Sequence, residues 1–159
     1  MEFGAFAIEV PKTWTKVKQQ GIDSYAGGIA ISSTDTIGFD LGAWSNTLTE
    51  PEPVIWERRD LQYHKNIDTT QIVLVDDRRG IDPDKFKKQN LTWDTIDGRE
   101  AKIVFPRKAE HGITGVYIDS LWTSKLGLDH FNLYGTDLKR ESQEEFLKAI
   151  KTLKFQQRR

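Results

Sequence analysis

Alternating apolar and polar residues predict short β-strands along most of the chain. The alternation is strict over residues 5–10 and 37–43, which is typical of strands with one buried face. Further strands are predicted at 29–31, 67–75, 113–121 and 130–135, the last two as antiparallel neighbours joined by a turn over 123–129. After Pro11, the three-residue spacing of Trp14 and Val17 among lysines indicates a turn or the start of a short helix. Residues 54–63, which follow Pro51 and Pro53, are expected to form a short amphipathic segment.

Asp97-Gly98 marks a β-hairpin between residues 91 and 105. A two-residue loop would pair Trp93 with Lys102. A three-residue loop over residues 96–98 would pair Trp93 with Ala101 and would collect the apolar side chains on one face. Because a one-residue slip moves every side chain to the other face, burial should select the register. We therefore predict the three-residue loop, with a glycine bulge.

The C-terminal region predicts a helix. Ser142-Gln143-Glu144-Glu145 matches a capping box, in which Ser142 caps the first turn and Glu145 reaches back. An apolar stripe follows, and lysines gather toward the C-terminal end, as the helix dipole favours. The stripe consists of Phe146, Leu147, Ile150 and Leu153.

These elements predict an α+β fold. We expect an antiparallel sheet of six to seven strands with flanking helices, similar to an α/β/α sandwich, and a C-terminal helix packed on the sheet. Regular alternation of strands with long helices, which a doubly wound parallel sheet requires, is absent from the pattern. The 159 residues fit one domain over 1–159.

Composition excludes several classes of function. The chain has no cysteine, which excludes disulfides, thiolate metal sites and thiol nucleophiles. Lys+Arg (23) and Asp+Glu (24) nearly balance, which argues against a basic nucleic-acid-binding protein. No segment approaches the roughly 20 apolar residues of a membrane span. The first ten residues show no signal-peptide pattern, and the compartment stays open: the cell envelope or periplasm if a signal or lipobox was trimmed, and the cytoplasm otherwise.

Candidate catalytic groups lack the spacing that chemistry requires. The three histidines lie far apart in sequence, so no local metal motif is present. Asp76-Asp77 and Asp82-x-Asp84 offer carboxylates, but the glycine and the bidentate glutamate of a calcium loop are not in place. We therefore expect no enzyme, no catalytic residue, no metal site and no cofactor. The histidines are His64, His111 and His130.

One candidate binding site is a cluster of aromatic and basic residues in the 54–63 region. Trp and Arg are common anchors of protein interfaces, so the cluster predicts contact with a protein partner. The alternative is that the tryptophan covers the core and the arginines are solvated. The cluster consists of Trp56, Arg58, Arg59, Tyr63 and His64.

A second candidate site is the glycine-bearing face of the strand over 37–43. Gly38 and Gly42 lack side chains, so a packed helix or a ligand can approach this face closely. A packed helix is the simpler explanation. His130 is a candidate base for a ligand at this face, although a lone histidine near an acid is more often a surface residue.

The order of elements carries a family resemblance. An opening strand runs into Pro and Trp at Ile8–Trp14, a strand pair surrounds Ile96–Gly98, and a helix with a short tail closes the chain at Phe146–Phe155. This layout resembles the Mog/PsbP-like superfamily. The resemblance implies an antiparallel sheet between helices and mostly non-enzymatic roles, among them a photosystem accessory subunit, a Ran-GTPase partner, bacterial envelope lipoproteins and secretion chaperones.

The sequence thus predicts a small non-catalytic accessory or binding domain that acts through contact with an unidentified protein partner. Two alternatives remain open. One is a small-ligand-binding or enzymatic domain that uses the sheet face near Gly38, Gly42 and His130. The other is a secretion-type chaperone that covers an apolar segment, which would need an exposed apolar groove.

Overall fold

A computed structural model describes residues 1–18, 24–124 and 127–156. Its contacts divide the chain into two compact units. The first unit comprises Met1–Thr49 and Gln89–Arg159, and the second comprises Glu50–Lys88. No helix among the described residues is long and apolar enough to cross a membrane.

The first unit contains a seven-stranded antiparallel sheet with the strand order β2-β3-β4-β10-β9-β8-β7. A two-stranded antiparallel sheet, β1-β11, joins the two ends of the chain. The strands are β1 (Phe6–Ala7), β2 (Thr15–Val17), β3 (Tyr25–Ala30), β4 (Thr36–Gly42), β7 (Gln89–Ile96), β8 (Arg99–Pro106), β9 (Ile113–Ser124), β10 (Gly127–Thr136) and β11 (Lys154–Phe155); β5 and β6 belong to the second unit.

One face of the seven-stranded sheet forms the main core. Alternate residues of β4 and β10 pair on this face, for example Phe39 with Leu133 and Leu41 with Phe131. The helix α1 (Arg140–Ile150) buries Phe146 in the same cluster. The predicted α+β class, antiparallel sheet and C-terminal helix are therefore confirmed.

The predicted helix over the glycine-bearing face was wrong. The buried side of α1 belongs to the core on the opposite face, the face of Phe39 and Leu41. On the glycine-bearing face, residues 43–49 cross the sheet instead, and Ser45 Oγ donates to the carbonyl of Gly42 over 3.2 Å. This face is therefore covered only in part, by an irregular segment.

The predicted capping box at Ser142 was also wrong. Helix α1 begins at Arg140, so Ser142 lies within its first turn and is buried. The carboxylate of Asp35, in the turn between β3 and β4, accepts from the Lys139 amide over 3.2 Å and from the Ser142 hydroxyl. A residue distant in sequence thus supplies the cap that the local motif was expected to provide.

The hairpin of β7 and β8 has the two-residue loop, so the predicted three-residue loop was wrong. Ile96 pairs with Arg99 and Trp93 pairs with Lys102. Asp97 and Gly98 both have positive φ (49° and 74°), which is the type I′ turn that Asp-Gly favours. Burial still helps to select this register, because Ile96 is only 2% exposed. Trp93 lies on the opposite face of the hairpin and is not buried.

The N-terminal segment differs from the prediction in two elements. The strand expected over residues 5–10 is limited to β1, Phe6–Ala7. Pro11 to Trp14 forms a turn in which the Trp14 amide donates to the Pro11 carbonyl over 3.1 Å. The chain then continues as strand β2 instead of a short helix. Trp14 is buried in the main core, whereas all three residues of β2 are exposed.

The second unit contains one parallel strand pair, β5 (Val54–Glu57) and β6 (Ile72–Val75). The predicted segment over 54–63 is thus strand β5 followed by a 3₁₀ turn, Arg58–Tyr63. The strand predicted over 67–75 is limited to β6 and is half-buried. A second 3₁₀ turn, Pro83–Phe86, is capped by the Asp82 carboxylate, which accepts from the Asp84 amide over 3.0 Å.

The two predicted neighbours near the C-terminus, β9 and β10, are confirmed as an antiparallel pair. Both are longer than expected. The turn predicted over 123–129 includes residues 125 and 126, which lie outside the described residues.

Candidate functional site

A row of directly paired side chains crosses the glycine-bearing face of the seven-stranded sheet. It begins at the edge strand β7 and ends on β4, and most of its members are polar. Because directly paired residues share a face, these side chains lie next to one another. The row is Trp93, Lys102, Tyr117, Asn132 and Asp40.

The segment 43–49 crosses this row and is held by hydrogen bonds. Asn132 Nδ2 donates to the Asn46 carbonyl over 3.0 Å, and Ser45 Oγ donates to the His130 carbonyl over 3.2 Å. Leu48 packs in a small buried cluster with Val104 and Tyr117. These contacts place Thr49 above the row, beside Lys102.

Lys102 is a buried cation. Lys102 is 7% exposed. Its Nζ donates to Thr49 Oγ1 over 2.8 Å and lies 5.2 Å from the centre of the Tyr117 ring. Burial lowers the pKa of Lys102, while the negative charge of Asp119 acts in the opposite direction. Among the described residues, no carboxylate forms an ion pair with Lys102.

Tyr117 and Asp119 form the next part of the site. The Tyr117 hydroxyl donates to Asp119 Oδ1 over 2.8 Å, and burial raises the pKa of the Tyr117 phenol. His130 stacks on Tyr117 with ring centres 6.0 Å apart, and its Nδ1 lies 3.5 Å from Asp119 Oδ1. The same Nδ1 contacts the Asp119 carbonyl. His130 is therefore held by Asp119.

These residues surround an open cleft of about 550 Å³, which we call the Lys102 cleft. The volume is within the range of small-molecule sites, roughly 300–1,000 Å³. Trp93 forms one wall and is 60% exposed, although it is a large apolar side chain. The residues that define the cleft are Thr49, Trp93, Glu100, Lys102, Tyr117 and Asp119.

The structure brings together the aromatic and basic cluster predicted from the sequence. The side chains of Trp56 and His64 are in contact, with ring centres 4.6 Å apart, and Tyr63 is 76% exposed. Arg58 Nε lies 3.2 Å from Asp76 Oδ1, and Arg59 Nε lies 2.5 Å from Glu57 Oε2. Both arginines thus have carboxylate partners within the second unit and are still exposed, as are Tyr63 and His64, whereas Trp56 is half-buried.

His130 and the two glycines lie on the face that carries the Lys102 cleft. Gly42 pairs with His130, and Gly38 pairs with Tyr134. His130 contacts Asp119, which lines the cleft, but His130 itself is not among the lining residues. No group of three or more histidine or acidic side chains able to hold a metal ion is found in the described part of the chain.

No protein-family model, curated protein sequence or solved structure matches this chain. Its function is therefore inferred from the chemistry of its own side chains.

The sequence did not single out Lys102, Thr49, Tyr117 or Asp119. Thr49 and Asp119 reach the site from different parts of the chain, and no motif connects them. The one sequence feature that could have indicated part of this site is the Asp97-Gly98 turn. The two-residue loop that this pair favours places Trp93 opposite Lys102 and so indicates a cation beside an exposed indole.

Proposed function

We propose that this protein is a non-catalytic binding domain that takes a small anionic ligand into the Lys102 cleft. One observation carries the proposal: the Lys102 ammonium is buried with a hydroxyl and an aromatic ring, and no described carboxylate pairs with it. A buried charge is costly unless it is paired. An anion bound in the cleft would supply the missing charge.

The hydrogen bonds around the cleft favour binding over catalysis. A nucleophile and its base must face a site where a reacting atom can sit. Here the Tyr117 hydroxyl donates to Asp119, and His130 Nδ1 contacts the Asp119 carbonyl. The polar groups thus hold one another in place, which supports a preformed binding site.

The Mog/PsbP-like resemblance belongs to this proposal. An antiparallel sheet with a C-terminal helix on one face is compatible with it. Fold alone carries little function, so the resemblance supports the class of non-enzymatic binding domain and no particular ligand.

Calorimetric titration of the full chain with simple carboxylates and inorganic phosphate tests the proposed function. At least one anion should bind with a stoichiometry near one, and Lys102→Met should weaken this binding about tenfold or more. Lys108→Met is the matched control, because Lys108 is exposed and outside the cleft. Equal binding to the native protein and Lys102→Met, or no binding of any of these anions at millimolar concentration, would contradict the proposal.

Urea denaturation tests separately whether the Lys102→Met variant still folds. A buried cation without an ion-pair partner has a desolvation cost, and an apolar side chain of similar length removes that cost. Lys102→Met should therefore unfold at the same or a higher urea concentration than the native protein. Loss of binding without loss of stability would then be due to the missing charge.

A second candidate function is contact with a protein partner through the Trp56 cluster. The high exposure of Tyr63 beside the Trp56–His64 pair favours it. A pulldown from the native organism, analysed by mass spectrometry, would compare the native chain with a Trp56→Ala/Arg58→Ala double variant. A partner captured only by the native chain would support this function, whereas identical captures would oppose it.

A further inference from the structure

The charges around the Lys102 cleft favour a ligand with a single negative charge. Lys102 is the cation available there, because Arg99 donates to Asp97 and lies over the ring of Phe155, 5.3 Å from its centre. Glu100 and Asp119 also line the cleft and bring negative charge to it. A ligand with several charges would be repelled by these carboxylates, while one carboxylate can pair with Lys102.

Thr49 adds a second donor beside the ammonium. Its Oγ1 accepts from Lys102 over 2.8 Å and from the Thr47 hydroxyl over 3.0 Å. The Thr49 hydroxyl keeps its own proton, and no acceptor for that proton is found among the described residues. An ammonium and a hydroxyl next to each other match the two oxygens of a carboxylate.

The walls of the cleft favour a flat apolar body. Trp93 presents its indole at the edge of the sheet and is directly opposite Lys102 in the strand pairing. Tyr117 lies on the other side of Lys102 in the same row. Aromatic rings pair with other rings by offset stacking or edge-to-face contact, beyond the effect of buried area.

From these three features we infer that the ligand of the Lys102 cleft is a small aromatic monocarboxylate, with its carboxylate on Lys102 and Thr49 and its ring against Trp93. This inference rests on the proposed function and specifies its ligand class.

Titration calorimetry with three probes on the full chain tests the inference. The probes are benzoate, cyclohexanecarboxylate and benzene-1,3,5-tricarboxylate, which separate the effects of the ring and of the charge. Benzoate should bind about three- to tenfold more tightly than cyclohexanecarboxylate. The tricarboxylate should bind more weakly than benzoate, because Glu100 and Asp119 repel its additional charges.

Three variants assign the contributions to residues. Trp93→Leu should remove the preference for benzoate over cyclohexanecarboxylate, and Thr49→Val should weaken both about three- to tenfold. Lys102→Met should weaken both about tenfold or more. Trp44→Leu is the matched control for Trp93, because Trp44 is 87% exposed and outside the cleft, and its variant should bind like the native protein.

The outcomes separate the inference from the function on which it rests. Equal affinity for benzoate and cyclohexanecarboxylate, a preference that survives in Trp93→Leu, or tighter binding of the tricarboxylate would overturn the aromatic monocarboxylate while Lys102→Met still weakens binding. Binding that is indifferent to Lys102→Met would overturn the proposed function as well.

Discussion

Asp35 connects the turn between β3 and β4 to the start of α1. Its carboxylate accepts from the Thr34 hydroxyl, the Lys139 amide and the Ser142 hydroxyl. Asp35→Ala would leave buried donors without acceptors, so we expect it to lower the free energy of unfolding by about 1–3 kcal/mol at pH 7. Urea denaturation measures this change. Glu144→Ala, at an exposed position of the same helix, should change it by less than about 0.5 kcal/mol.

The contribution of Asp35 depends on pH in a defined direction. Burial acts to raise the pKa of Asp35, but the hydrogen bonds from Ser142, Thr34 and Lys139 together lower it. A carboxyl with a lowered pKa in the folded state stabilises the fold above its unfolded pKa of about 3.9, and this stabilisation disappears as the pH falls through the folded pKa. The stability difference between the native protein and Asp35→Ala should therefore shrink below about pH 4. A difference that stays constant from pH 7 to pH 3 would contradict this assignment.

At the residue scale, local rules identified the helix but not its cap. Ser142 and Glu145 match the capping box, and the apolar stripe correctly placed Phe146 and Ile150 in the core. The cap comes from Asp35, which is 104 positions away from Lys139. A local motif cannot report such a contact, because it exists only after the sheet brings the two segments together.

At the element scale, Asp97 connects the β7–β8 turn to the C-terminal strand. Its Oδ2 accepts from the Phe155 amide over 2.9 Å and from Arg99 over 3.1 Å. Asp97→Ala would remove these bonds and place alanine at positive φ, so we expect a loss of about 2–4 kcal/mol in the free energy of unfolding. Asp97→Asn should lose less than about 1 kcal/mol, because Asn tolerates this conformation and its amide oxygen can still accept from Phe155. Equal losses for the two variants, measured in urea, would show that the turn conformation and the amide bond contribute little.

The same hairpin shows how far sequence patterns could predict the site. Alternation found most strands of the sheet, because a half-buried strand needs period two. The register depended on whether Trp93 is buried, and the assumption that it belongs to the core selected the wrong loop. The indole of Trp93 is exposed, so this assumption does not hold. Large apolar side chains left exposed are expected at functional surfaces. The cleft was missed for this reason, since the wrong register separates Trp93 from Lys102.

At the scale of the whole molecule, the buried apolar residues are unequally distributed. Among the described residues, the two clusters of buried hydrophobic side chains lie within Met1–Thr49 and Gln89–Arg159. In the second unit, Glu50–Lys88, the strand pair is only half-buried, and the buried side chain of Glu57 is polar. Chains below roughly 40 residues seldom form a stable core without additional cross-links, and this unit falls just under that length without any cysteine.

A single domain over residues 1–159 is still a prediction from length, and removal of the second unit tests it. We expect that a variant in which a short Gly/Ser linker replaces residues 50–88 will unfold cooperatively in urea, because the first unit keeps the seven-stranded sheet, α1 and both clusters. It should also keep the anion binding of the native protein, since every residue that lines the Lys102 cleft belongs to the first unit. A separate peptide of residues 50–88 serves as the control and should show no cooperative transition. If the deletion variant instead unfolds without cooperativity, the two units depend on each other for folding and form one domain, as the length predicts.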